Sequence, residues 1–241
     1  MLQNDDGSIS GVINKIESAD MRFSYCAAYL IWLFCPSGVD QPINVEKFVQ
    51  FIKHCQSPVD SAFGQVPEAE GHGKGLSHEN SALFRFCKVG AFLSLYCPTR
   101  YSEEMTIGKM HLTLCMTILK RANTYCALAS LHLLNRIDAI SRDERQRIIR
   151  FCVNRQTQGI HGRPCKVDDS CYTFWTGAAL KIVSTEDPYL SKEETLISNA
   201  DVIKFLHACS DPIVGGVSKF PGTPPDPTHS FLALGKILFC A

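Results

Sequence analysis

The chain has 241 residues, 45% of them hydrophobic and 20% charged, enough to bury a sizeable core and too apolar for intrinsic disorder. Twenty-four basic residues balance 24 acidic ones, so no net field points towards nucleic acid or an anionic membrane surface. Twelve cysteines sit mostly inside apolar helical runs such as SYCAAYLIWLFC, rather than in a short loop-rich framework, which reads as a reducing, cytoplasmic setting. The start MLQNDDGSIS lacks the basic and apolar regions of a signal peptide, and no uncharged apolar run reaches the roughly 18 residues of a membrane span, so a soluble protein is expected.

In chain order, residues 6–19 read as a loop, and Asp20 caps an apolar helix beginning MRFSYCAAYLIWLF. Residues 44–54 carry the spacing of an amphipathic helix and lead into the loop SPVDSAFGQVPEAEGHG. The next helix of the plan is TYCALASLHLLNRI. Ser141 and Glu144 form a capping box for a helix with Ile148, Ile149, Cys152 and Val153 inward. The run Arg142–Arg150 is interleaved with Asp143 and Glu144, so it reads as a solvated helix face rather than a nucleic-acid surface.

That helix feeds the stretch QGIHGRPCKVDDSCYTFWTGAAL, residues 158–180. Gly159, Gly162 and Pro164 break regular structure, Asp169 suits a helix N-cap, and an apolar helix follows from Cys171. Unpaired amides at a helix start favour anions, and Arg163 and Lys166 add positive charge. The plainer alternative is a capping Asp169, a core Cys171 and two solvated cations. A last unit repeats the plan: helix NADVIKFLHACS, loop DPIVGGVSKFPGTPPD, then Asp226-x-Thr228-His229 opening SFLALGKILF.

Four hairpins of outer helix, loop and inner helix must stack to bury their apolar faces, which predicts an all-α solenoid or closed ring. Equivalent inner-helix starts, Asp20-x-Arg22, Asp169-x-Cys171 and Asp226-x-Thr228-His229, then point the same way. Three ligands of O, S and N type with a fourth place open make a catalytic zinc pattern, so Asp169, Cys171 and His229 are the candidates. A lone histidine at a helix start is more often a cap or core residue, and only the repeat register raises the metal reading.

The strings DMRFSYCAA, FGQVPEAEGHG, TYCALASL, HGRPCKVDDSCYTFWTGAALK and VGGVSKFPGTPPDPTHSF resemble the β subunits of protein prenyltransferases, over roughly two-thirds of the chain. HGRP before Asp-x-Cys-Tyr, the MRF of the first repeat and Lys219 in GGVSKFP favour the type I geranylgeranyl branch over the farnesyl and Rab branches. The resemblance implies an α-α barrel and zinc on Asp169, Cys171 and His229. It implies transfer of a geranylgeranyl group from its diphosphate to the cysteine of a C-terminal CaaX motif, as on small GTPases, and a heterodimer with an α subunit. His72, Arg163, Lys166 and Tyr172 fall where the family binds diphosphate, and Arg22, Tyr25 and Trp175 where it walls the isoprenoid and reaches the peptide. Lys219 stands where farnesyl enzymes carry an Asp, so magnesium independence is expected.

Two departures accompany the resemblance. Residues 74–123, within a single barrel domain, fit neither the hairpin plan nor any repeat and read as an insertion; the chain also begins where the family's middle begins, so an incomplete barrel is expected. Thr228 replaces a larger residue beside the peptide's last side chain, which leaves peptide selectivity open. A non-catalytic helical-repeat protein or defective splice product is the rival class. A terpenoid-cyclase-like enzyme ranks last, because no convincing Asp-rich run is present.

Overall fold

The computed structural model describes residues 2–11, 19–35, 41–67, 120–162, 166–185 and 196–240. Among them are seven α-helices: α1 (Met21–Phe34), α2 (Val45–His54), α3 (Lys120–Leu133), α4 (Arg142–Val153), α5 (Ser170–Thr185), α6 (Asn199–Ala208) and α7 (Pro227–Cys240), with a short 3-10 turn at Ile137–Ala139. The described residues form no strand, only isolated antiparallel bridges in loops. His72, Arg163 and residues 74–119 of the expected insertion lie outside the described residues, and residues 120–123 form the first turn of α3.

The helices fall into two compact units, α1 to α3 in the first and α4 to α7 in the second. In the first unit α1 packs along α3, while amphipathic α2 buries Phe48, Val49, Phe51 and Ile52 on one face. Phe48 and Ile52 are fully buried, a burial that stabilises by about 1.5–3 kcal/mol per side chain. At the N-terminus, Gly7 lies at φ 89°, and a Cβ there would fall 2.0 Å from the Lys47 carbonyl oxygen. Only glycine lets the 2–11 turn sit against the start of α2.

In the second unit α5 is the central helix, packed along α7 and touching α4 and α6. Its sequence explains the position, since Thr173, Ala178, Ala179, Leu180 and Val183 are all buried and no charged side chain lies on its inner face. The outer helix α4 starts with the expected capping box, the Ser141 hydroxyl taking the Glu144 amide and the Glu144 carboxylate taking the Ser141 amide. Ile148, Ile149 and Cys152 are buried as the spacing predicts, and Val153 is half-buried at the frayed end.

The loops repeat more closely than the helices do. Cys55 to Pro67, Cys152 to Pro164 and Cys209 to Pro221 share one spacing, from the end of an outer helix to a proline. Within the first unit the Gly64 amide donates to the Cys55 carbonyl at 2.8 Å, and within the second the Ser218 amide donates to the Cys209 carbonyl at 2.9 Å. One residue further on, the Gln65 carbonyl accepts the Met21 amide at 3.0 Å and the Lys219 carbonyl accepts the Ser170 amide at 2.9 Å. The first and third of these loops therefore each anchor the start of an inner helix. Gln65 stands to Asp20 as Lys219 stands to Asp169.

Candidate metal centre

All three candidate ligands lie in the second unit, at the starts of α5 and α7. Asp169 immediately precedes α5, where its Oδ1 accepts the Cys171 amide at 3.0 Å. That Asx cap orients the carboxylate and puts Cys171 into the first turn, with its thiol on the same side. Asp226 does the same for α7, its Oδ1 accepting the amides of Thr228 at 2.9 Å and His229 at 3.0 Å. Pro227 then opens the helix, where its missing N–H costs nothing.

Packing of α5 on α7 brings the two caps together. One ligand atom from each of Asp169, Cys171 and His229 lies within 4.8 Å of the others, and all three residues are buried. His229 Nε2 is 3.3 Å from Asp169 Oδ1, yet it makes no hydrogen bond, so a buried ring nitrogen is left facing the space between the carboxylate and the thiol. An orphaned buried polar atom beside a thiol and a carboxylate fits a metal ion with open coordination better than it fits a closed core. The donor set suits zinc.

The electrostatics agree. Burial alone would raise the Asp169 carboxyl, but the proximity of the His229 ring and of Cys171 outweighs it and holds the group below the ordinary carboxylate range. Burial works against a charged His229, but Asp169 and then Asp226 outweigh it and raise its pKa above 6.5. In the metal-stripped chain, the stability that His229 contributes is therefore fully present below pH 6.5 and lost as pH rises through its raised pKa. Asp169 has the opposite sign: its contribution is present above pH 3.8 and lost as pH falls through its depressed pKa. Thermal unfolding in chelator from pH 3 to 9 is expected to show a plateau between those ordinary values and a decline on both sides. A midpoint still rising above pH 7 would contradict the pairing.

The other sequence-derived site residues fall in several places. Lys219 Nζ is 3.7 Å from Asp169 Oδ2 and about a third exposed, beside the triad. Tyr172 is half-buried, its ring against Gly162; a Cβ there would fall 2.3 Å from the ring, so glycine in HGRP makes room for the tyrosine. Trp175 is buried with its ring edge-on to Phe174 at 5.2 Å. Lys166 is exposed and lines an open groove of 760 Å³ with Thr157, His161, Asp168 and Phe220, a groove that the triad does not line.

In the first unit, Arg22 is held by Asp20 through Nε and Nη2. Tyr25 pairs with Tyr125, hydroxyl to hydroxyl at 3.3 Å, and with Tyr29 and Trp32 it forms an aromatic row along α1. Two features escaped the sequence reading, the shared Cys-to-Pro loop spacing and the contact of His229 Nδ1 with Asp226 Oδ2 at 2.5 Å. Both were visible as patterns, the second as an Asp three residues before a His at a helix start.

A helical unit whose loops anchor the starts of inner helices, with an Asp-Cys-His cluster at those starts, defines the class. The family model described as "Prenyltransferase alpha-alpha toroid domain" matches residues 1–93 and 120–240, and the chain belongs to that family. Over 241 residues it is 32% identical to "Geranylgeranyl transferase type-1 subunit beta" of Arabidopsis thaliana, covering 95% of this chain and 48% of that protein. To the protein of the same description from Dictyostelium discoideum it is 30% identical, covering 98% of this chain and 50% of that one. The solved structure "Candida albicans protein geranylgeranyltransferase-I complexed with GGPP" shares the fold at a TM-score of 0.58 and 18% identity, over 98% of this chain and 52% of that chain. The chain thus spans about half the length of the curated relatives it matches. The family match leaves residues 94–119 unaligned.

Proposed function

We propose that this chain is the catalytic β-type part of a zinc-dependent protein geranylgeranyltransferase of type I, acting on CaaX cysteines in partnership with an α subunit in the cytoplasm. The observation that carries the reading is the buried Asp169–Cys171–His229 cluster with the unpartnered His229 Nε2 turned into it. Similarity to type 1 β subunits supports the branch.

Asp169, Cys171 and His229 are the residues that would hold zinc. When bound, zinc keeps the substrate cysteine as a thiolate at neutral pH. The rest is done by the chain's own side chains. As the new carbon–sulfur bond forms at C1 of the isoprenoid, the carbon–oxygen bond breaks and negative charge collects on diphosphate. Lys219, held beside Asp169 by its loop, supplies a fixed ammonium for that charge, with Tyr172, Lys166, Arg163 and His72 as further donors. A fixed cation in that place makes magnesium dispensable. We assign Trp175, Tyr25 and Arg22 to the isoprenoid and the peptide by the family resemblance. We read residues 74–123 as an insertion within this one domain.

The test is transfer of labelled geranylgeranyl to a peptide ending Cys-a-a-Leu by the chain co-expressed with a prenyltransferase α subunit. Transfer without added magnesium is expected, reduced about 10²–10³-fold in Lys219→Ala, the size of effect seen when one fixed donor to a developing anion is removed. A zinc-loaded complex that transfers nothing, beside an active full-length relative, would refute the catalytic reading and leave a helical-repeat binding protein.

A further inference from the structure

We propose that Asp226 is a positioning residue that fixes the tautomer of His229, and thereby makes Nε2 available to a metal; the inference rests on the metal-site reading above. The two oxygens of Asp226 have separate tasks. Oδ1 is committed to the first turn of α7, where it takes the amides of Thr228 and His229. With that oxygen pinned, Oδ2 is carried to 2.5 Å from His229 Nδ1. A carboxylate only accepts, so the ring presents N–H at Nδ1, and Nε2 is the nitrogen whose lone pair a metal can take once the ring is neutral.

Nε2 is the atom without a hydrogen bond, 3.3 Å from Asp169 Oδ1 and within ligand range of Cys171. The same helix cap that starts α7 therefore also decides which ring nitrogen can bind. Asp20 and Asp169 cap their helices in the same way but have no histidine three residues on, so this second task belongs to Asp226 alone among the three. Asp226 is 41% exposed at its side chain, so substitutions there need not disturb the core.

A substitution series separates cap from tautomer. Asp226→Asn keeps a carbonyl oxygen for the α7 amides but turns an N–H₂ towards Nδ1. Nδ1 must then accept, the ring proton moves to Nε2, and the ligand lone pair is lost. Asp226→Ser also caps, but it presents no fixed donor to the ring. Zinc affinity of the full chain would be read by competition with a chelating indicator, the cobalt(II) absorption spectrum would report thiolate ligation, and imidazole ¹⁵N shifts of the metal-free protein would report the tautomer.

The expected order is wild type, then Asp226→Ser, then Asp226→Asn, with the asparagine variant weaker than wild type by about 10–100-fold and its His229 proton on Nε2. Wild-type affinity in Asp226→Asn, or an Nδ1–H tautomer retained there, would overturn the positioning role while leaving the metal site standing. Losses that track melting temperature equally in Asn and Ser would reduce Asp226 to a cap. Absence of stoichiometric zinc in the wild type would overturn the metal site itself, and the positioning role with it. If Asp226→Asn does not fold, the Ser variant's ¹⁵N shifts decide: an unchanged Nδ1–H tautomer refutes the proposal, and a mixed population supports it.

Discussion

Cys171→Ala is expected to abolish stoichiometric zinc binding while Cys209→Ala leaves it unchanged, although both residues are buried in the same unit. The difference lies in position. Cys171 stands in the first turn of α5, where the Asp169 cap holds its amide and turns its thiol towards His229 Nε2. Cys209 ends α6, where its carbonyl accepts the Ser218 amide and hydroxyl. Burial, with Asp169 and Asp168 nearby, pushes the Cys209 thiol up to about 11, so it stays protonated at neutral pH. If the roughly 10–16 kcal/mol of a zinc site is shared among its ligands, losing the thiolate removes about 3 kcal/mol or more, over a hundredfold in affinity. Chelator competition with both variants checks this; equal losses would show that generic destabilisation, not ligation, sets metal binding.

The helices were legible because their signals are local. Asp20 and Ser141 cap the helices that their side chains suggest, and α2 buries the face that its spacing marks. The triad was legible for a less local reason. The same Asp-x pattern recurs at the starts of α1, α5 and α7, and a repeat puts equivalent positions in equivalent places. What remained hidden were contacts decided by a side chain's second oxygen. Nothing in the letters Asp226 and His229 says that Oδ1 is spent on the helix and Oδ2 on the ring, because that division follows from the turn α7 makes at Pro227. The groove beside Lys166 was likewise unreadable, since it is lined by residues from a loop, from α6 and from the Phe220 turn.

The three helix-start aspartates share one cap and diverge in the second oxygen, which makes Asp20 the sharpest test of the repeat in the first unit. Asp169 turns its second oxygen towards Lys219; Asp226 gives its own to a histidine; Asp20 gives its own to Arg22 and Gln65. Asp20 is 1% exposed, and its partner Arg22 is about 70% buried, so the pair is largely shielded from water. Removing one partner of a buried pair typically costs about 3–5 kcal/mol, because the remaining charge stays buried without its counter-ion. With Arg22 partly solvated, the lower end of that range, about 3 kcal/mol, is expected for Asp20→Ala. Asp20→Asn keeps the cap on the Arg22 amide and should recover about 1 kcal/mol of it. The two tryptophans lie one in each unit, Trp32 on α1 and Trp175 on α5, so urea unfolding in a Trp175→Phe background reports the first unit by itself. A cycle with Arg22→Ala should show Asp20→Ala costing much less once the guanidinium is gone. If both steps of the cycle cost the same, Asp20 is only a cap, and the division of labour among the three aspartates does not extend to the first repeat.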